Sequence, residues 1–170
     1  MQTEKLTWQC DGMSIELATD WSGQGPLVLL LPALSSISTR REMRSLQERL
    51  YANYRTVSVD WPGFGDRPRA RYDWRPEIYS DFLGYLTGTV LPPVHAVITA
   101  GHAATFALLH ACAHPGSFKR LIPRSAPKPH DLDIFAPGRI LRDAISVVYL
   151  PFDRQYETLK RAKRCMTNTD

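Results

Sequence analysis

An α/β fold, with a mostly parallel sheet of about six strands and helices on both faces, is expected for this chain from three observations. The run Pro26-Leu27-Val28-Leu29-Leu30-Leu31-Pro32 has no polar face, as a strand covered on both sides requires. Two β-branched stretches, Tyr54–Asp60 and Val94–Thr99, are each followed by a sharp turn and then by residues spaced as in a helix. Asp11-Gly12, between the alternating stretches Lys5–Cys10 and Met13–Ala18, is a hairpin dipeptide that favours positive φ. The chain therefore opens on an antiparallel pair and continues as strand–helix repeats.

The elements follow in order. After the polar turn Asp20–Gly25 and the apolar strand, Arg41 to Tyr51 reads as a helix with Met43, Leu46, Leu50 and Tyr51 on one face. Pro62-Gly63-Phe64-Gly65 ends the Tyr54–Asp60 strand. Pro76 followed by Glu77 marks a helix start, and Ile78, Phe82, Leu83 and Leu86 face a core before Pro92-Pro93 stops it. Val94–Thr99 is a strand, Ala104–Ala113 a helix, and Arg120–Ile122 the start of a sixth strand. From about His130 the alternation ceases, and Gly138–Leu150 and Arg154–Lys163 read as two helices split by Pro151. Residues 1–129 are thus expected to form the core, and 130–170 a helical extension.

With 21 Lys and Arg against 17 Asp and Glu, the chain is only mildly basic. Its clusters (Arg40, Arg41, Arg44; Arg67, Arg69, Arg71, Arg75; Lys160, Arg161, Lys163, Arg164) read as solvated surface. No aromatic-interleaved motif or zinc spacing accompanies them, so no nucleic-acid partner is expected. Cys10, Cys112 and Cys165 are scattered and odd in number, which argues against a disulfide framework and for a reducing compartment. The N-terminus lacks a leader pattern, and the apolar run Leu27–Leu31 is too short to cross a bilayer. The expectation is a soluble, cytoplasmic protein with no membrane span, no metal and no cofactor.

Four segments carry a family resemblance. They are the N-terminal hairpin, the strand ending in Leu31-Pro32, the strand end Asp60-Trp61-Pro62-Gly63-Phe64-Gly65-Asp66, and Val97-Ile98-Thr99-Ala100-Gly101-His102-Ala103-Ala104-Thr105 running into a helix. In that order and spacing, over about residues 5–127, the chain resembles the α/β-hydrolase superfamily, with its oxyanion loop, its D-x-P-G-x-G-type strand end and its G-x-S-x-G elbow. The fold implied is a truncated α/β-hydrolase sheet with a partial lid at its C-terminal end. The chain ends, at Asp170, within what resembles the early lid, before the strands and the histidine that normally follow.

The departures from the pattern set the functional expectation. Aligned on Gly101, the elbow puts Ala103 where the serine stands and Thr105 where the closing glycine stands, and a methyl group cannot attack a carbonyl. His102 precedes that position and is not expected to be the base. The resemblance implies an oxyanion hole made by the N–H of Ala104 and that of Ala33 or Leu34. Ser35, Ser36 and Ser38 are expected to be turn or cap residues, and Asp131 and Asp133 a polar loop. Pro123 and Arg124 suit an edge strand better than a central one, which leaves the sixth strand at the sheet's margin.

The expected function is a binding or structural module built on the hydrolase fold without its triad. The alternatives are an enzyme acting on a small ester or carbonyl compound through the oxyanion hole, or a unit completed by a second chain. The partners expected are a small apolar or ester-like ligand, and another copy or another protein bound through the C-terminal helices.

Overall fold

The structure is a computed structural model that describes residues 1–66, 72–124 and 146–147. Seven strands form one sheet in the order β1-β2-β4-β3-β5-β6-β7. The hairpin of β1 (Gln2–Cys10) and β2 (Met13–Ser22) turns at Asp11 and Gly12, with φ of 47° and 77°. β2 continues antiparallel onto β4 (Arg55–Val59). From β4 inward, β3 (Leu27–Leu31), β5 (Val94–Thr99), β6 (Phe118–Pro123) and β7 (Ser146–Val147) are all parallel.

Alternation along β3 builds a core on each face of the sheet. Leu27, Leu29 and Leu31 pack with Val57, Val59, Val97, Trp61 and the buried residues of α2 (Pro76–Tyr85) and α3 (Ala103–Ala113). Val28 and Leu30 pack on the other face with Met43, Ala96, Ile98 and Ala100, bordered by Leu46 and Leu50. In α2, Pro76 stands in the first turn, where its missing N–H costs nothing, and Ile78, Phe82 and Leu83 are buried. A π-helical turn, Leu86–Val90, closes that helix, and Leu91 N–H donates to the Leu86 carbonyl.

The helix expected over Arg41–Tyr51 is instead a 3-10 turn, Arg40–Met43, followed by α1, Arg44–Leu50. Met43 is fully buried as expected, but Tyr51 is exposed, because the helix ends at Leu50 and the last position rotates off the apolar face.

Two further expectations are corrected. The sixth strand is not an edge, since Arg120 and Leu121 pair with Ser146 and Val147. Pro123 closes β6 opposite Thr99 of β5. Arg124 N–H donates to the Thr99 carbonyl at 2.8 Å, and Leu121 is buried. Ser146–Val147, expected within a helix, is strand. The rest of the predicted C-terminal extension, with Asp131, Asp133, Ile140, Leu141, Ile145, Val148 and the helix Arg154–Lys163, lies outside the described residues.

Candidate functional site

In an open parallel sheet the ligand side is the carboxyl end of the strands. Here that end carries Pro32-Ala33-Leu34 after β3, Asp60-Trp61 after β4 and Ala100-Gly101-His102 after β5. The loop after β3 is tied to its neighbour by Trp61, whose indole N–H donates to the Pro32 carbonyl at 2.8 Å. Trp61 is itself buried against Tyr79, Phe82 and Phe106.

The strand-to-helix turn reverses at Gly101, which has φ 52°. That is the left-handed region, where a side chain costs about 1–2 kcal/mol. A Cβ built at Gly101 would stand 3.3 Å from Ala33 Cβ, so the loop after β3 leaves little room for a side chain at the elbow. Ala103 has no such torsion. It opens α3, is fully buried, and belongs to the core cluster beneath the turn. Thr105 is buried one step further along, and His102, between the apex and the helix, is exposed.

Two of the expected oxyanion donors, the N–H groups of Ala104 and Ala33, are engaged inside the chain. Ala104 N–H donates to the Gly101 carbonyl at 3.2 Å, closing the first helical turn. Ala33 N–H donates to the Glu42 carboxylate at 3.3 Å. Leu34 packs against the core as a partly buried side chain. Ser35 is a turn residue, its hydroxyl accepting from Ile37 N–H, whereas the cap of the following turn is Thr39.

The other described histidines lie elsewhere. His95 sits early in β5, at the strand's amino end, 3.3 Å from the Arg120 guanidinium. His110 is on α3 and His114 caps its C-terminal end, about 10 and 16 Å along the helix axis from Ala103 at 1.5 Å per residue. His130 lies outside the described residues. His110 is buried, with Nε2 2.9 Å from Thr87 Oγ1 and its ring 4.7 Å from that of His114. Thr87 spends its hydroxyl proton on the Leu83 carbonyl, so the Nε2–H tautomer of His110 donates to it.

Burial, and secondarily His114, pushes the His110 pKa down from 6.5 to about 4. The neutral form is therefore built into the fold. The stability this confers is fully present above pH 6.5 and is lost as pH falls toward 4. Urea unfolding at pH 7.5 and 4.5 is expected to show an acid loss about 2–3 kcal/mol larger in the native chain than in His110→Gln. Equal acid losses in the two proteins would mean that His110 is not held neutral.

What the sequence missed is Arg40, read there as surface. Its guanidinium is buried, 3.1 Å from Asp20, 2.8 Å from Asp60 and 2.7 Å from Asp66, and its backbone N–H donates to Asp60 at 2.6 Å. Arg41 reaches Asp66 from outside at 3.2 Å. Burial disfavours the charged guanidinium, but the bonds to Asp66, Asp60 and Asp20 outweigh it and hold the proton more tightly than usual. Burial pushes the Asp60 carboxyl up, against the pull of Arg40. The cluster joins β2, the turn before α1 and the end of β4, and so fixes the floor under the loops described above.

A family model described as the alpha/beta hydrolase family matches residues 28–159. The chain belongs to the alpha/beta hydrolase family. An esterase from Thermogutta terrifontis superposes with a TM-score of 0.59 at 21% identity, covering 76% of this chain and 49% of its own. A haloalkane dehalogenase from Agrobacterium tumefaciens gives 0.56 at 17%, covering 71% and 40%. The Cif epoxide hydrolase from Acinetobacter nosocomialis gives 0.56 at 14%, covering 75% and 39%. This alpha/beta hydrolase chain thus spans less than half the length of those structures, and at such identities the likeness is one of fold. No curated protein matches it. Among the described residues no helix is long and apolar enough to cross a membrane, and no cluster of His, Cys, Asp and Glu could hold a metal ion.

Proposed function

We propose that this chain uses the alpha/beta hydrolase fold as a binding module, without nucleophilic chemistry of its own. The observation that carries this reading is the glycine at the left-handed residue of the elbow. In the family the attacking side chain sits on the strained residue of the strand-to-helix turn. Gly101 holds that torsion here, so the nucleophile position is Gly101, two residues before Ala103. In this frame the small outer positions are Thr99 and Ala103, both fully buried, as residues crowded beneath a tight turn should be. Gly101 offers no attacking atom, and the described histidines on β5 and α3 are placed away from it.

The ligand side is the space around Ala33, Leu34, Gly101 and His102, and the ligand is small and apolar or ester-like. A protein partner, or a second copy, is reserved for the C-terminal segment. Purified protein treated with a fluorophosphonate probe is expected to show no stoichiometric labelling, and specific labelling would overturn the reading.

Ala103→Ser is expected to leave p-nitrophenyl ester turnover at background. The new hydroxyl lands in the core rather than in the cleft, and burying it costs about 1–3 kcal/mol. Serine-dependent turnover by that variant would restore Ala103 as the nucleophile position.

A further inference from the structure

We propose that Glu42 is an internal latch: its carboxylate occupies the Ala33 N–H and holds the loop after β3 closed against the elbow, in the place an external carboxylate would take. The contact is 3.3 Å from Ala33 N to Glu42 Oε2.

Three features of the surroundings make this an aimed contact rather than a stray one. Thr39-Arg40-Arg41-Glu42 has the T-x-x-E spacing of a capping box, in which the glutamate turns back to the cap's own N–H. Here the box is not formed. The Thr39 hydroxyl accepts from Arg41 N–H, Glu42 N–H goes to the Thr39 carbonyl, and the Glu42 side chain reaches across to Ala33. Arg40, two residues before, sits in the buried ion cluster and Met43, the next residue, is fully buried, so the turn that carries Glu42 is anchored at both ends. A side chain at Gly101 would meet the Ala33 methyl at 3.3 Å, so the loop that Glu42 holds lies close over the elbow.

The ligand class follows from the occupant. A donor that a carboxylate oxygen satisfies from within the chain accepts the same group from solution, once the tethered competitor is removed. A tethered group acts at an effective concentration in the millimolar range, so a weak external carboxylate competes poorly with it. The inference rests on the reading above in one respect, that this end of the sheet is the ligand side.

Amide NMR of the full chain tests it, with sodium propionate as the probe. Glu42 is exposed, so Glu42→Gln and Glu42→Ala are expected to keep the wild-type fold, checked by the rest of the spectrum. In Glu42→Gln the Ala33 amide proton is expected to move upfield, having lost a charged acceptor. In Glu42→Ala propionate is expected to shift the Ala33 and Leu34 amides saturably, with an apparent affinity at least tenfold above wild type. An Ala33 amide unmoved in Glu42→Gln, an equal propionate response in both proteins, or no response in Glu42→Ala would each overturn the latch. Fluorophosphonate labelling of the wild-type chain, by contrast, overturns the functional reading and leaves the Ala33 result standing.

Discussion

Arg40→Met is expected to be the most destabilising of the substitutions considered, lowering the unfolding free energy by about 3–5 kcal/mol at neutral pH. Methionine matches the length of the aliphatic stem but leaves Asp20 and Asp60, each about 4% exposed at the side chain, without their cation. The backbone bonds of residue 40 do not depend on its side chain. Arg40 N–H still donates to Asp60, and the Arg40 carbonyl still accepts from Ser58. The loss therefore measures uncompensated buried charge rather than a rearranged turn.

The pH dependence has a definite sign. Burial already pushes the Asp60 carboxyl up in the native chain, and without Arg40 the opposing pull disappears. A group whose folded pKa is raised is favourable while protonated and loses that advantage as pH rises through it. The gap between Arg40→Met and wild type should accordingly narrow as pH falls into the carboxylate range. Adding Asp20→Asn and Asp60→Asn should recover part of the loss at pH 7. Denaturant unfolding at pH 7 and pH 5 reads both effects, and a variant within 1 kcal/mol of wild type at pH 7 would mean that the cluster is not the anchor described.

Arg40 also marks where legibility in the sequence ended. The strands and helices of the core were readable because burial on a sheet or helix face repeats with a period that letters preserve. Val94–Thr99 was read at its observed bounds, and the four apolar residues assigned to the helix after Pro76 are all buried. Arg40 and Arg41 are adjacent and chemically alike, yet one is buried against three aspartates from distant segments and the other is exposed. No local pattern separates them. Ser146–Val147 was missed for a related reason, since two residues are too few for either periodicity to register.

On the reading proposed above, the elbow was legible in kind but not in register. Gly101-His102-Ala103-Ala104-Thr105 matches G-x-S-x-G in its first letter, and that glycine was read as the small flanking residue. The alternative frame, Thr99-Ala100-Gly101-His102-Ala103, has no glycine at its outer positions, so nothing in the letters favoured it. What separates the frames is a torsion angle, and φ of 52° belongs to Gly101.

That torsion supports the second large effect. Gly101→Val is expected to cost about 2–5 kcal/mol, from two sources that can be separated. A β-branched residue at positive φ is a steric outlier whatever surrounds it, worth roughly 1–2 kcal/mol or more. The added methyls also press on Ala33, whose Cβ would already lie 3.3 Å from the new Cβ, and overpacking of that kind costs about 1–3 kcal/mol. Gly101→Ala should carry mainly the first cost, because its single methyl meets Ala33 at a tight but tolerable distance. Ala33→Gly combined with Gly101→Val should recover the second cost and not the first. Thermal and urea unfolding of the two single variants and the double variant form the cycle, with a positive coupling between positions 33 and 101 as the expected result. Additive losses would mean that the loop after β3 is not seated on the elbow, and a Gly101→Val melt equal to wild type would remove Gly101 from the apex and return the nucleophile position to Ala103.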